Sequence, residues 1–375
     1  MRNAPHLGRE LVLGAGREAG FDLVGIAGVQ PSARMAMFPG WVESGQGGAM
    51  EYLARRGEDG HYVRERIQAA WGWARSVLCG GVVYNAKAPR SSEITGDRER
   101  GWISRYAWGD DYHEVLRKKL EMWIERLRTT MPPAPEGEQF RAVVDTAPLV
   151  ERDAAWRAGL GWQGKNTCLI HPEKGSYFFL GSIVTSLELE EEAVLPDRCG
   201  SCTRCLEACP TEALTPYHMD ASRCLAYMNI ELRGRIPDEW RRAMGNNVVG
   251  CDICQDVCPW NRRAATTDEA AFQPRPGLLA PKLEDLGALD EAAYRERFRH
   301  SAVKRVKFSG LQRNTAIAMG NSGNPKFLPR LQTWMAGDDA ELAEHAAWAV
   351  REIERGNDTA KANRIADHPG TGGGV

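Results

Sequence analysis

Cysteine spacing between residues 199 and 258 constrains this chain more than any other feature of its sequence. A first run reads C-x2-C-x2-C-x3-C-P from Cys199 to Pro210, and a second reads C-x2-C-x3-C-P from Cys251 to Pro259. Three closely spaced thiolates followed by a cysteine before proline form the ligand spacing of proteins that hold two four-iron clusters. Cys224 lies between the runs and can supply the one ligand that the second run lacks.

The eight cysteines of this block form two complete ligand sets. In this pattern the cysteine before each proline ligates the cluster of the other run. We therefore expect one [4Fe-4S] cluster on Cys199, Cys202, Cys205 and Cys258. We expect the other on Cys209, Cys224, Cys251 and Cys254. Zinc ribbons also use C-x2-C pairs but have no reason to repeat C-x2-C-x3-C-P, and disulfides require an oxidising compartment.

Two further cysteines, Cys79 and Cys168, lie outside this block. Cys79 falls in an apolar predicted strand, and Cys168 follows a glycine-rich loop. A buried, chemically inert thiol is the usual state of a cysteine in such a place. We therefore leave both residues out of the ligand sets.

Length and charge limit what the rest of the chain can be. The 375 residues predict two or three domains. The net charge of −2 gives no field over the whole chain that would attract nucleic acid, so such a partner needs a local basic patch. The first ten residues lack the apolar stretch of a signal peptide, and no run of 18 apolar residues occurs. We therefore expect a cytoplasmic protein without a membrane partner.

Residues 1–190 alternate predicted helices and strands. Apolar runs predict strands at 23–27, 76–84 and 140–144, and helical spacing predicts a helix at 113–130. The spacing G-x-G-x3-G near residue 14 has no strand before it, which argues against a Rossmann nucleotide site. The sequence D-x-H at 111–113 begins a cobalt-ligating signature, but Leu116 replaces its glycine. His113 is therefore predicted as a residue of the first helical turn rather than a metal ligand.

Two features of this region could bind a ligand. Asp145 ends the strand at 140–144 and precedes a predicted helix at 149–158, where α/β folds place ligands. A carboxylate that only caps the helix would occupy the same position. The glycine-rich loop at 159–166 allows a ligand to approach the backbone closely, although a plain turn would look similar.

The C-terminal third is predicted to be helical. Amphipathic helices at 311–320 and 341–354, with a shorter helix between them, are typical of one HEAT-type repeat. Residues 294–313 carry seven basic residues and one acidic residue, a local charge of +6. The segment 357–375 is polar and rich in glycine and is predicted to be disordered.

Two clusters in one block form a short path for single electrons, and such a path needs an acceptor. No flavin or nicotinamide fingerprint occurs in the sequence. We therefore expect the α/β region, which carries the glycine loop and Asp145, to bind a redox cofactor with a substrate beside it.

The chain resembles the epoxyqueuosine reductases over about residues 7–350. The motifs that carry the resemblance are GIA at 25–27, SRYAWG at 104–109 with YH at 112–113, VDTAPL at 144–149 with ER at 151–152, AGLGW at 158–162, GKN at 164–166, and both cysteine runs. The resemblance implies an α+β protein with three parts. These are a nitroreductase-like α/β cobalamin domain at 1–190, a ferredoxin-type module for two [4Fe-4S] clusters at 191–265, and a HEAT-like tRNA-binding domain at 280–356.

The resemblance also implies the activity. Epoxyqueuosine reductases convert epoxyqueuosine to queuosine at the wobble position of tRNA anticodons, the last step of queuosine biosynthesis, with cobalamin reduced through the clusters. The implied partners of a monomeric chain are a tRNA carrying epoxyqueuosine and an electron donor that the sequence does not identify.

Site residues follow from the matched motifs. Asp145 matches the proton donor of the family, and we expect burial to raise its pKa because an ordinary carboxyl is ionised at neutral pH. The expected cobalamin contacts are Arg66, Ser104, Lys165, Asn166 and Thr185, with no histidine on the cobalt. The expected tRNA contacts, from the basic segment, are Lys304, Arg305, Lys307 and Arg313.

Two other functions fit parts of the sequence. An electron-carrier subunit would use the clusters and bind no tRNA, but it predicts no bound corrinoid and leaves Asp145 unexplained. A corrinoid enzyme like the reductive dehalogenases would share the cofactors. Those proteins are usually exported with a twin-arginine signal, which we do not find here, and they do not need the basic C-terminal helices.

The ligand count generates the first test. Replacing Cys224 by alanine should remove one of the two clusters, although Cys224 lies outside both cysteine runs. Iron analysis and the visible spectrum of anaerobically purified protein measure this loss. Cys79→Ala and Cys168→Ala serve as matched controls and should keep about eight iron atoms, the content of two cubanes. Full iron content in Cys224→Ala would refute the ligand assignment.

Overall fold

The computed structural model describes residues 5–94, 96–130 and 139–366, which form a mixed helix and sheet structure. The helices are α1 (Pro5–Glu18), α2 (Phe38–Glu43), α3 (Ile67–Ala70), α4 (Ser91–Ile94), α5 (Tyr112–Thr130), α6 (Glu151–Arg157), α7 (Arg204–Glu207), α8 (Asp238–Arg241), α9 (Ile253–Asp256), α10 (Leu283–Gly287), α11 (Glu291–Arg297), α12 (Phe308–Ser322), α13 (Leu328–Met335) and α14 (Ala340–Ala366). The strands are β1 (Leu23–Gly28), β2 (Ser76–Val83), β3 (Trp102–Ile103), β4 (Phe140–Val143), β5 (Trp162–Gln163), β6 (Leu169–Ile170), β7 (Phe178–Thr185), β8 (Leu214–Thr215), β9 (His218–Met219) and β10 (Asn247–Val249).

A four-stranded sheet organises the N-terminal half. Its strand order is β1-β2-β7-β4, and every neighbouring pair is antiparallel. The predicted strands at 23–27, 76–84 and 140–144 are confirmed. The antiparallel pairing was not predicted. We expected a ligand at Asp145 because α/β folds with parallel strands bind ligands at the carboxyl ends of their strands, and that reason does not apply to an antiparallel sheet. That residue instead follows β4, which pairs only with β7 in this sheet.

Helices cover both faces of this sheet, which is why β2 is buried at every position. Because strand side chains alternate between faces, Leu78 packs with Leu120 and Trp123 of α5, whereas Val77 packs with Ala154 of α6. Gly25 allows α6 to lie close to β1, since a Cβ atom there would fall 2.0 Å from the carbonyl oxygen of Ala158.

The cysteine block is built from short elements. Helices α7 and α9 pack against each other, and the hairpin of β8 and β9 lies between the two runs. The parallel pair of β3 and β10 joins the N-terminal half to the segment just before Cys251. These short elements place the cysteines through loops and turns rather than through long regular structure.

The C-terminal helices α12, α13 and α14 confirm the two predicted helices with a shorter one between them. Their core is continuous with the rest of the molecule. One hydrophobic cluster contains Trp102, Val248, Ile317 and Trp348, which come from three predicted parts of the chain. Buried Asn314 of α12 donates to the carbonyl oxygens of Asn229 and Val248, 2.7 and 2.9 Å away.

The predicted disordered tail at 357–375 differs from the structure. Helix α14 continues to Ala366, because residues 357–366 include three alanines together with lysine and arginine, which favour helix. Residues 367–375 lie outside the described residues. No helix among the described residues is long and apolar enough to cross a bilayer.

Candidate functional site

Four cysteines surround one cavity. Cys199, Cys202, Cys205 and Cys258 line it together with Lys165, Asn166, Ile170, Pro259 and Trp260. Within the described ranges, no three histidine, cysteine or acidic side chains converge closely enough to bind a single metal ion. Four cysteines around one cavity fit the ligand set of one four-iron cluster.

Nitrogen donors point at one of these cysteines. Burial raises the pKa of the Cys199 thiol, while the nearby backbone N–H of Lys165 and indole N–H of Trp162 oppose that rise. The buried Trp162 Nε1 has no hydrogen-bond partner among the described residues. N–H groups directed at sulfur are a means by which proteins stabilise cluster thiolates. This donor therefore fits a cluster at the cavity.

The remaining predicted ligands lie together on the other side of the block. Burial raises the pKa of Cys251, and the neighbouring thiols of Cys224 and Cys209 raise it further. The thiols of Cys251 and Cys224 likewise raise the pKa of Cys254. The structure thus brings Cys224 to the two runs, as the count of eight requires.

The two excluded cysteines differ from each other. Cys79 is fully buried, and burial raises its pKa to about 12, which is the inert thiol that we expected. Cys168 instead lies against a predicted ligand, and its hydrogen bond with Cys254 lowers the pKa of Cys168 to about 7. No pattern in the sequence indicates this contact, because residues 168 and 254 are distant in the chain.

Asp145 occupies an unusual backbone position beside the sheet. Its φ is +56°, a region that few residues other than glycine adopt, and its backbone N–H donates to Glu151 Oε1 at 3.0 Å. Its side chain is 59% exposed and accepts hydrogen bonds from Tyr112 Oη at 3.0 Å and His113 Nε2 at 3.3 Å. The carboxylate therefore has solvent on one side and two donors on the other.

The expected protonation of Asp145 is not what the structure shows. The hydrogen bond from His113 holds the pKa of Asp145 below its ordinary value, opposed by burial and aided by Tyr112. The neighbouring carboxyl of Glu151 has the raised pKa, because burial raises the pKa of Glu151 to about 8. Desolvation acts on both carboxyls, but at Asp145 the side-chain donors His113 and Tyr112 of α5 outweigh it.

His113 confirms the prediction of a first-turn helix residue, since it is the second residue of α5. Both of its ring nitrogens are engaged. Nδ1 lies 2.7 Å from Asp111 Oδ1, and Nε2 contacts Asp145. Asp111 is also paired with Lys304 Nζ at 2.7 Å. Neither nitrogen is free for a metal, which agrees with the failed cobalt signature.

The exposed side of the Asp145 carboxylate, called the opening below, has further side chains near it. The ring of Tyr52 is exposed, and the Arg64 guanidinium lies 5.6 Å from its centroid. Arg305 donates to both carboxylate oxygens of Glu231 at 2.8 and 2.5 Å. Burial raises the pKa of Tyr52, and the charges of Glu231, Arg305 and Asp145 all act on it. Sequence reasoning missed Tyr52, Glu231, Asp111 and Glu151 as site residues. Asp111 belongs to the incomplete cobalt signature and Glu151 to the family motif at 144–152, but neither pattern indicates the contacts that these residues make.

The five expected cobalamin contacts have different surroundings in the structure. Arg66 is exposed and lies 3.3 Å from His61 Nε2. Ser104 is 1% exposed and donates to Asp252 Oδ1 at 3.0 Å. Thr185 is fully buried, and its hydroxyl accepts from the backbone N–H of Leu187. The structure does not support Ser104 and Thr185 as ligand contacts, because their side chains offer no accessible surface.

Lys165 and Asn166 instead serve the cysteine block. Lys165 Nζ donates to the carbonyl oxygens of Gly200 and Cys202 at 2.7 and 3.0 Å. Asn166 is buried and donates to the carbonyl oxygen of Cys254 at 3.3 Å. Both residues of the glycine loop therefore fix the backbone that carries the thiols.

The basic segment divides into exposed and buried cations. Lys304 and Arg305 lie on the short turn Ala302–Val306, and Lys307 follows it, all three exposed. Arg313 is buried and donates to the carbonyl oxygens of Met228, Leu232 and Gly234. The structure therefore excludes Arg313 from the predicted tRNA contacts, since three carbonyls and the interior of α12 enclose it.

Comparisons with known proteins agree with this geometry. A 4Fe-4S double cluster binding domain matches residues 198–261, and the family described as epoxyqueuosine reductase QueG, DUF1730, matches residues 64–146. The epoxyqueuosine reductase of Xanthomonas campestris is 38% identical over 339 residues, which cover 90% of this chain and 93% of that protein.

The chain belongs to the epoxyqueuosine reductase family. Solved epoxyqueuosine reductases share its fold. One, bound to an epoxyqueuosine-modified tRNA-Tyr stem loop, has a TM-score of 0.80 and 29% identity, covering 92% of this chain and 89% of that one. Another, from Bacillus subtilis, has the same TM-score and identity, covers 92% and 90%, and is described with its catalytic loop swung out of the active site.

The position of Lys165 generates a test of its role. Lys165→Met should make the first cluster more labile, because the carbonyl oxygens of Gly200 and Cys202 lose their donor. The rate of iron release to a chelator, followed by the visible spectrum, should rise several-fold, on the order expected for one lost charged hydrogen bond. Lys174→Met, on the neighbouring hairpin, is the matched control and should release iron at the wild-type rate. Unchanged release from Lys165→Met together with weakened cobalamin binding would restore the original assignment.

Proposed function

We propose that this chain reduces epoxyqueuosine in tRNA to queuosine, using cobalamin that is reduced through two [4Fe-4S] clusters. The observation that carries the proposal is the placement of Asp145. Its exposed carboxylate stands beside the donors Tyr112 and His113, in a family member whose cysteines form two groups. The Asp145 carboxylate can then transfer a proton, and the clusters can supply electrons, to a substrate bound at the same place.

The cluster ligands are the two sets predicted from spacing. Cys199, Cys202, Cys205 and Cys258 would hold the first cluster, with Trp162 and the backbone of Lys165 donating to the thiolate of Cys199. Cys209, Cys224, Cys251 and Cys254 would hold the second. The four thiols around one cavity support the first set, and the mutual effects of Cys209, Cys224 and Cys251 support the second.

The opening at Asp145 fits a flat cofactor that brings its own metal. Tyr52 offers an exposed ring, and Arg64 and Arg305 offer cations at the rim. His113 has no free nitrogen to ligate a metal. When bound there, cobalamin supplies the strongly reducing cobalt that breaks the carbon–oxygen bond. The N-terminal domain would be nitroreductase-like, and the C-terminal helices would be HEAT-like.

The residues of the chain handle protons and orientation. Converting an epoxide to an alkene consumes two electrons and two protons and releases the oxygen as water. Asp145 is the exposed acid–base group at the opening, and its contact with Tyr112 and His113 fixes its orientation. Tyr112 is in turn held by stacking on Phe179, with ring centroids 4.4 Å apart. Asp145 is therefore the group that delivers a proton to the opening oxygen.

The tRNA surface is the exposed part of the basic segment. Lys304, Arg305 and Lys307 lie on one turn, and Arg305 also borders the opening at Asp145. Cations at this place would bind phosphates of the anticodon stem loop and position it. A single-stranded loop base can then be splayed out toward Asp145.

Turnover by the Asp145→Asn variant tests the function. Wild-type protein reconstituted with cobalamin and a chemical reductant should convert epoxyqueuosine in a tRNA stem loop to queuosine, measured by mass analysis of nucleosides. Asp145→Asn should retain both clusters and bound corrinoid but turn over roughly 10²-fold more slowly, the usual scale for loss of a general acid.

Asp110→Asn is the matched control, because Asp110 is exposed nearby and faces Arg275 at 3.9 Å rather than the opening. It should convert substrate at the wild-type rate. Near-normal turnover in Asp145→Asn would leave Asp145 without a catalytic role. Wild-type protein that binds no corrinoid and converts no substrate would favour the electron-carrier alternative.

Charge removal tests the tRNA surface. Changing Lys304, Arg305 and Lys307 together to alanine should weaken binding of the stem loop and reduce the slope of affinity against salt, because fewer counterions are released. Filter binding across a salt series measures both quantities. The control variant changes Lys118, Arg126 and Arg128, three exposed cations of α5. If both variants bind with the same affinity and slope, the tRNA surface lies elsewhere.

A further inference from the structure

A continuous line of hydrogen bonds leads from the C-terminal half of the chain to Asp145. Lys304 Nζ lies 2.7 Å from Asp111 Oδ2, and Asp111 Oδ1 lies 2.7 Å from His113 Nδ1. His113 Nε2 then lies 3.3 Å from Asp145 Oδ2. The Asp111 side chain is 3% exposed, that of His113 is 31% exposed and that of Asp145 is 59% exposed. The line therefore runs from a buried anion to a carboxylate at the opening.

The imidazole at the centre of this line is a cation. Burial alone would lower the pKa of His113, but the hydrogen bonds with Asp111 and Asp145 outweigh it and raise the pKa to about 9. Asp111 stays ionised, because the hydrogen bonds of His113 and Lys304 overcome burial and lower its pKa. At neutral pH the shared proton of this pair therefore rests on His113 and not on Asp145.

This placement leaves the proposed proton donor without a proton of its own. Asp145 is an anion next to an imidazolium, so a proton delivered from its carboxyl must first reach it from a neighbouring side chain or from the solvent on its exposed side. Tyr112 is a poor source, because burial holds the pKa of its phenol well above the ordinary value. His113 Nε2 is the cationic donor in contact with Asp145.

We propose that His113 is the positioning residue that supplies Asp145 with the proton used in the reaction, and that Asp111 holds the imidazole in place for this transfer. The proposal rests on the function proposed above. The proton leaves Nε2, passes through Asp145 Oδ2 and bonds to the oxygen of the opening epoxide. Nε2 of the partly exposed imidazole regains a proton from solvent after the transfer, and the electrons come from the reduced cofactor.

The proposal predicts a particular dependence of turnover on pH. The imidazolium is present below about pH 9 and is lost as the pH rises through that value, so kcat of the wild-type protein should fall on the alkaline side. The charged and titratable groups around His113 are Asp111, Asp145, Tyr112, Glu151, Arg64 and Lys304. Of these, Glu151 also has a pKa near this range, at about 8, so it needs its own variant.

Four variants distinguish which of these groups causes the alkaline fall. For each variant, kcat and KM for the modified stem loop are measured across a range of pH. His113→Gln should lower kcat by about 10²-fold, leave KM unchanged and abolish the alkaline fall. Asp111→Asn should move the fall to lower pH, because the anion that favours the imidazolium is gone. Glu151→Gln should keep the fall, and His300→Gln, which changes an exposed histidine nearby, should match the wild type. An alkaline fall that survives in His113→Gln or vanishes in Glu151→Gln would overturn the proposal.

Histidine titration by NMR tests the charge without turnover. In the full-length protein with oxidised clusters and labelled histidine, the signal lost in His113→Gln should titrate near pH 9. In Asp145→Asn the same signal should titrate at lower pH. A titration near the ordinary value of about 6.5 would overturn the proposal whatever the turnover assay shows. Failure of all variants to convert substrate, with this titration intact, would count against the proposed function instead.

Discussion

A buried carboxylate between two cluster cysteines joins the two halves of this molecule. Asp252 is 2% exposed, and it accepts from Trp102 Nε1 at 3.0 Å, Ser104 Oγ at 3.0 Å and the backbone N–H of Arg105 at 2.8 Å. Burial raises its pKa to about 6, and these donors oppose that rise. A carboxylate that is buried away from water needs such hydrogen-bond donors. Separating Asp252 from residues 102–105 would leave it buried without partners. The second cysteine run is thus tied to the segment that precedes α5.

A second buried carboxylate, Asp256, makes similar contacts four residues after Asp252. Asp256 accepts from the backbone N–H of Ser91 at 2.8 Å and from Tyr177 Oη at 2.6 Å. With Asp252, it holds α9 and Cys254 against the N-terminal half of the chain. Asn314 of α12 then binds the carbonyls of Asn229 and Val248 from the other side. The cysteine block is therefore a bridge that both flanking parts hold in place, and its position relative to Asp145 is set by buried polar contacts.

Local chemistry made some of this structure predictable. The cysteine spacing, the strand at 76–84 and the helix at 113–130 follow from residues close in sequence. Asp145 was located by its position after a strand, but its charge was not predicted. The cause is His113, 32 residues earlier in the chain, which only the folded structure brings into contact. Arg313 was assigned to tRNA because its neighbours are basic, yet the carbonyls that enclose it lie about 80 residues away.

Three of the expected cobalamin contacts share a structural role that their motifs do not indicate. Ser104, Lys165 and Asn166 belong to the motifs that carry the family resemblance, and a motif identifies residues that matter without saying what they contact. In the structure all three contact the cysteine block, through Asp252, the carbonyls of Gly200 and Cys202, and the carbonyl of Cys254. A 4Fe-4S cluster binding domain must hold its cysteines at a fixed place relative to the rest of the chain. Residues that fix two modules to each other are therefore as constrained by the function as residues that contact the cofactor, and sequence motifs do not distinguish the two.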